Sequence, residues 1–165
     1  MAIYFPDTQI QEVGSGIITI PGTVVQCVEA VITGTLTTTT VGQWLSLSSG
    51  TASITPTSTS NSIYIYYHTS FRKDHTQGSW SLGLIGLYHD TSLSFLSYSG
   101  WNGGWRHTIN SFRKLYVHSP NSTATQTYSL RFYNHNPGSA TTTFYGNAAC
   151  AHDGNSYIRL MEVAA

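Results

Sequence analysis

Seven histidines, at 68, 75, 89, 107, 118, 135 and 152, are the side chains of this sequence with the widest chemical repertoire. Imidazole titrates near neutral pH, ligates transition metals and moves protons. None of the seven forms the i, i+4 pair that sets two ligands on one helix face, and no helix is expected to carry one. His89-Asp90 and His152-Asp153 come nearest to a ligand pair, but adjacent strand residues point to opposite faces unless a turn intervenes. The carboxylates Asp7, Glu12, Glu29, Asp74, Asp90, Asp153 and Glu162 are equally scattered. Glycoside hydrolysis needs two carboxyls about 5–9.5 Å apart, and no spacing here establishes such a pair. Glu29 and Glu162 fall in the first and last expected strands; with both inward, Arg159 or an arginine of a neighbouring subunit is their expected partner. No Gly-x-Ser-x-Gly elbow offers a nucleophilic serine, and Gly14-Ser-Gly16 is too short for a phosphate loop. Cys27 and Cys150 match no metal spacing. They are expected to be buried free thiols, with a disulfide between the first and last parts of the fold as the alternative. These residues argue for a non-enzymatic chain with no metal and no cofactor.

The aromatic chemistry is richer. Trp101-Asn-Gly-Gly-Trp105, preceded by Tyr98, places two indoles around a flexible turn. Such a platform stacks on sugar rings, fills a subunit seam or packs onto its own barrel. Asn121-Ser-Thr123 matches the glycosylation acceptor pattern, which matters only on a secretory route.

The elements that must position these groups read as strands. Almost every segment alternates with period two, is rich in Val, Ile, Tyr, Phe and Thr, and is bounded by Gly, Pro, Asn or Ser. In Ser62-Ile-Tyr-Ile-Tyr-Tyr-His68, the residues Ile63, Ile65 and Tyr67 share one face and Tyr64, Tyr66 and His68 the other. A strand apolar or aromatic on both faces is covered on both, one cover being the core and the second a neighbouring subunit. Further strands are expected at about 24–32, 44–48, 52–55, 81–88, 93–97, 112–118, 128–134, 142–148 and 157–163. Turns are expected at Asn102-Gly-Gly104, Asn136-Pro-Gly138 and Asp153-Gly-Asn155. Almost no helix is expected. Short strands every 8–14 residues describe an antiparallel sandwich or jelly roll.

Composition sets the context. The 165 residues suit one domain. Charged residues make up 8% and the formal net charge is zero, against about 25% charged in an average soluble protein. So few charges leave a free monomer poorly solvated, which favours a surface covered by copies of itself. The same neutrality gives no footprint for nucleic acid or an anionic membrane. No stretch approaches the roughly 18 apolar residues of a membrane helix, and the N-terminus has no secretory leader pattern.

Residues 1–22 stand apart from a domain at 23–165. Large apolar groups (Ile3, Tyr4, Phe5, Ile10, Ile17, Ile18 and Ile20) alternate there with Pro6, Gly14, Gly16, Pro21 and Gly22. That pattern suits an arm that adds a strand to a partner's sheet edge; the plainer alternative is a frayed terminus.

Five stretches, in order, then carry a resemblance. Met1-Ala-Ile-Tyr-Phe-Pro-Asp7, Val24-Val-Gln-Cys-Val28 leading into Thr37–Thr40, and the loop and strand from Ala52 to Ile65 are three of them. Leu115 to Leu130 and the ending Ser156-Tyr-Ile-Arg-Leu-Met-Glu-Val163 complete the set. Together the chain resembles small structural proteins of tailed phages, which occur as head decoration (cement) proteins and as fibre knobs. The resemblance implies an all-β antiparallel jelly roll, homotrimeric, similar to the tumour necrosis factor and complement globular-head folds. It implies a virion protein on the outer surface of a head, assembled in the host cytoplasm, whose partners are itself and the major capsid protein or another virion protein. The alternative is a receptor- or glycan-binding knob, with a host-surface glycan as partner. The loop from Ile54 to Ser60 is expected to be exposed. The candidate subunit interface is Tyr64, Tyr66, His68, Tyr157, Arg159 and Met161, and the candidate ligand platform is Tyr98, Trp101 and Trp105. About 22 residues reach at most roughly 70 Å, which favours a protein seated directly on a shell over one on a long shaft.

Overall fold

The computed structural model describes residues 21–40, 42–74, 81–101, 107–135, 141–145 and 156–165. The expected turns at 102–104, 136–138 and 153–155 lie outside the described residues, as do Trp105, Cys150 and all of the arm before Pro21.

The described residues contain ten strands and no helix, as the period-two pattern predicts. They are β1 (Val24–Val31), β2 (Thr35–Thr38), β3 (Trp44–Ile54), β4 (Ser62–Asp74), β5 (Ser81–His89), β6 (Ser92–Trp101), β7 (His107–His118), β8 (Gln126–His135), β9 (Thr141–Tyr145) and β10 (Tyr157–Val163). The pairing is nested: β1 with β10, β2 with β9, β3 with β8, β4 with β7 and β5 with β6, all antiparallel. The chain therefore behaves as one long ladder closed by the β5–β6 hairpin. Pairs β10–β4 and β8–β5 then roll that ladder into two sheets. A long antiparallel ladder rolled in this way is a jelly roll, a double-sheet solution that leaves few free edges.

One sheet has six strands and the other four, in the order β3-β8-β5-β6. In the larger sheet β7 takes one edge of β4 over its whole length. The opposite edge is shared, with β10 along Ser62–His68 and β9 along Ser70–Asp74. The core lies between the sheets. Ile63, Ile65 and Tyr67 of β4 and Ile158 and Leu160 of β10 meet Ile85 and Leu87 of β5 and Tyr128, Leu130 and Phe132 of β8, all at most 1% exposed. Gly22 N donates to Ala164 O and Ala164 N donates to Thr23 O, so the chain joins the sheet edge at these residues.

Three expectations are corrected. The segments expected at 44–48 and 52–55 are one strand, β3, whose register against β8 shifts between Ser46 and Thr51. Ser48-Ser49-Gly50 reads as a turn by composition but forms a bulge, an irregularity that bends a strand without ending it. Ser49 Oγ accepts from Thr33 N (2.8 Å) and donates to Thr33 O (2.7 Å), tying the bulge to the β1–β2 connection. Second, β2 has only four residues in a Thr-rich run and carries no apolar alternation to reveal it. Third, β4 and β7 run six and five residues further than expected, to Asp74 and from His107.

Candidate functional site

The outer face of the six-stranded sheet is built by parity. Inward positions of β4 and β10 go to the core, so the alternate positions face out. Register aligns them in rungs across β1, β10, β4 and β7: Cys27–Met161–Tyr64–Val117, Glu29–Arg159–Tyr66–Leu115 and Val31–Tyr157–His68–Arg113. Register thus aligns all six expected interface residues on one face, with added neighbours on β1 and β7, although His68 is itself buried at 3% exposure. Leu115, Val117 and Val31 are 54%, 45% and 43% exposed, and the other exposed large hydrophobics described, Val24 and Val25, also lie on β1. Tyr157 contacts Tyr66 at 5.8 Å and His68 at 5.9 Å between ring centroids. Arg159 donates to Glu29 through Nε (2.8 Å) and Nη2 (2.5 Å), so the face's central ion pair cancels its own charge.

That pairing gives Glu29 its expected partner, Arg159, but without both carboxylates inward. Glu29 faces out and Glu162 faces in, so the two do not converge. Cys27 is exposed on the same outer face rather than buried, because β1 is a sheet edge whose even positions (Gln26, Val28, Ala30) turn inward.

Glu162 sits where the Ile158–Leu160 alternation places a core residue, and it is fully buried. Its Oε1 accepts from Thr57 N (2.7 Å), Thr57 Oγ1 (2.8 Å) and Asn61 Nδ2 (2.6 Å), and Oε2 from Gln26 Nε2 (2.6 Å). Burial raises its pKa, but the hydrogen bonds from Asn61, Gln26 and Thr57 outweigh that and hold it below the usual carboxylate value. The carboxylate anchors the loop between β3 and β4, in which Thr55, Thr57, Thr59 and Ser60 are exposed as expected while Ile54 and Pro56 turn inward. Ile54 is 2% exposed and Asn61 4%.

The histidines are not all isolated. His89 ends β5 and His118 ends β7, and their rings meet at 4.6 Å. The short β5–β6 turn carries Asp90 at φ 51°, a left-handed conformation that Asp tolerates better than most residues. Asp90 N donates to Thr127 O (2.8 Å), which fixes the turn on β8. His89 Nε2 lies 2.8 Å from Gln126 Oε1, while Gln126 Nε2 donates to Ala124 O, so the amide oxygen accepts from the imidazole. His118 Nδ1 shares a 2.6 Å hydrogen bond with the Tyr128 hydroxyl. Burial first, then His89, lowers the His118 pKa against an opposing pull from Asp90. Burial, Asp90 and Tyr116 push the Tyr128 phenol up. No group of three or more His, Cys, Asp or Glu among the described residues could hold a metal ion.

A group whose protonation is disfavoured in the fold binds more protons unfolded, so stability falls as pH drops below its unfolded value. His118 therefore predicts a loss of stability on acidification below about 6.5. The urea midpoint of wild type is expected to fall between pH 7.5 and 5, and to fall less in His118→Asn.

On the outer face of the four-stranded sheet, Trp44 packs against Tyr88 (5.6 Å) and Tyr133 (5.1 Å). The Arg131 guanidinium lies 4.1 Å from the Tyr88 ring centre. Register places Trp44, Tyr133, Leu84 and Tyr98 in one rung and Ser46, Arg131 and Gly86 in the next. Hydroxyl pairs continue the face, Ser53 with Thr127 (3.0 Å) and Thr55 with Thr125 (2.8 Å). Of the expected ligand platform, Tyr98 and Trp101 fall on β6. Sequence reasoning missed Trp44 and Arg131, whose neighbourhood depends on pairing between β3, β8 and β5.

No family model matches the chain, and no curated protein matches it. Among solved structures, one of the infectious bursal disease virus Gt strain is similar at 9% identity and TM-score 0.45, covering 99% of this chain and 40% of that one. A particle of T=1 type derived from the same virus is similar at 15% identity and TM-score 0.45, covering 99% and 41%. The chain spans about two fifths of the length of those two chains. At such scores the likeness assigns this chain no family or role, and its jelly roll rests on the nested strand pairing.

Proposed function

We propose that this chain is a virion structural protein, a homotrimeric decoration (cement) protein on the outer surface of a tailed-phage head. The observation that carries self-association is the outer face of the six-stranded sheet. Tyr64, Tyr66, Tyr157 and Met161 there are flanked by exposed Val31, Leu115 and Val117, and Glu29 and Arg159 neutralise each other. A face rich in aromatic and exposed apolar groups, with its central charges paired and Arg113 exposed at its margin, suits an interface. The resemblance to small tailed-phage structural proteins supports the place of that trimer on a virion. Residues 1–22, with Ile3, Tyr4, Phe5, Ile10, Ile17, Ile18 and Ile20, attach it by adding a strand to a neighbouring capsid protein. Deleting residues 1–20 is expected to leave a trimer by light scattering and to abolish sedimentation with particles. Retained attachment overturns the arm. Density for the protein on the tail instead of on the head in an image reconstruction of the particle overturns the location.

A further inference from the structure

The two outer faces of the sandwich differ in kind, and the second has no explanation in self-association. Arg131 is half-buried, yet its Nε is out of reach of water and has no hydrogen-bond partner, and no carboxylate lies within ion-pair reach of it among the described residues. A guanidinium drawn out of water is costly unless an anion or acceptors meet it. It gains only the cation–π contact with Tyr88. Beside it Trp44 and Tyr133 are partly exposed, Gly86 presents no side chain, and Ser46 offers an exposed hydroxyl.

From these residues we infer that the Trp44–Tyr88–Tyr133–Arg131 basin binds a carboxylate-bearing sugar. The acid group supplies the counter-charge that Arg131 lacks among the described residues, approaching end-on at the outer guanidinium nitrogens because Nε itself is closed to water and ligand alike. The sugar ring lies on the indole of Trp44 or the phenol of Tyr133, since aromatic faces pair with the apolar C–H face of a ring. Ring hydroxyls can meet the exposed hydroxyl of Ser46, which shares the rung of Arg131. An acidic protein segment fits this surface less well. A protein interface needs buried large apolar anchors, which this chain concentrates on its other outer face.

The test uses the full chain and saturation-transfer NMR with three probes: galacturonic acid, N-acetylneuraminic acid and galactose. At least one acidic sugar is expected to receive saturation, with galactose binding at least about tenfold more weakly, as loss of a charged hydrogen bond implies. Arg131→Met keeps the apolar stem over Tyr88 and is expected to abolish acidic-sugar binding without changing the circular dichroism. Trp44→Phe is expected to weaken it while preserving the aromatic packing. Silence with all three sugars overturns the inference, as does equal binding by wild type and Arg131→Met. Tighter binding of a polyglutamate peptide than of either acidic sugar also overturns it and assigns the basin to a protein. Sugar binding and particle attachment by residues 1–20 fail separately, so neither result stands in for the other.

Discussion

Glu162→Leu is expected to lose about 2–4 kcal/mol of folding stability at pH 7, the scale of leaving several donors to a charged acceptor unmet. Leucine continues the Ile158–Leu160 alternation and fits the parity of β10, so the loss does not come from a misplaced side chain. It comes from the donors. Thr57 N, Thr57 Oγ1, Asn61 Nδ2 and Gln26 Nε2 all converge on the carboxylate; the buried Asn61 amide left without an acceptor costs about 1–3 kcal/mol, and the part-buried Thr57 and Gln26 donors, which water can reach, add less. Gln26 is partly compensated because its amide also donates to Thr55 O (2.7 Å). Against a typical stability of about 5–15 kcal/mol the effect is large. Its pH dependence has a definite sign. The folded pKa lies below the ordinary 4.5, so the contribution is fully present above that value and is lost as pH falls through the lower folded value. The gap between wild type and Glu162→Leu, measured by urea unfolding, should therefore be constant from pH 5 to 7 and narrow below about 4.5. A gap under about 1 kcal/mol, the net worth of one ordinary hydrogen bond, refutes the anchoring role.

Glu162 also shows what a sequence of this kind can and cannot display. Its inward parity is legible from Ile158 and Leu160 alone, so a buried acid could be foreseen there. Its donors cannot, because Gln26, Thr57 and Asn61 reach it only through the pairing of β10 with β1 and β4. Parity likewise made Tyr64, Tyr66 and His68 legible as one face, and register then added Leu115 and Val117 from a strand fifty residues away. The all-β class followed from alternation. The nesting of strands did not, since nothing local in β1 names β10 as its neighbour. The bulge in β3 was hidden because Ser-Ser-Gly serves a turn and an irregular strand equally well. The His89–His118 pair and the Arg131 basin were invisible for the same reason as the nesting: each joins residues from strands that meet only after the ladder has rolled.

The double variant Leu115→Lys, Val117→Lys is expected to convert the proposed trimer to a monomer with its fold intact. Both side chains are largely exposed on one chain, at 54% and 45%, so the substitution removes little from the core between the sheets. Surface changes of that kind usually shift stability by no more than about 0.5 kcal/mol. In an assembly the same positions lie beside Tyr64 and Tyr66 in register, within the apolar face. Two ammonium groups per chain then have to be desolvated there. Glu29, the acidic group described beside them on this face, is already taken by Arg159, so it offers them no partner. Each unpaired buried charge costs several kcal/mol, and the symmetry of a closed oligomer repeats that cost in every copy. Light scattering should report the trimer mass for wild type and 18.0 kDa for the variant, with superimposable circular dichroism. The variant should also stop decorating particles even though residues 1–22 are untouched, because a lone arm binds without the multivalency of three. A variant that keeps the wild-type mass moves the interface off this sheet. A monomeric wild type removes it altogether, leaving the low charge of the chain to be explained by some other partner.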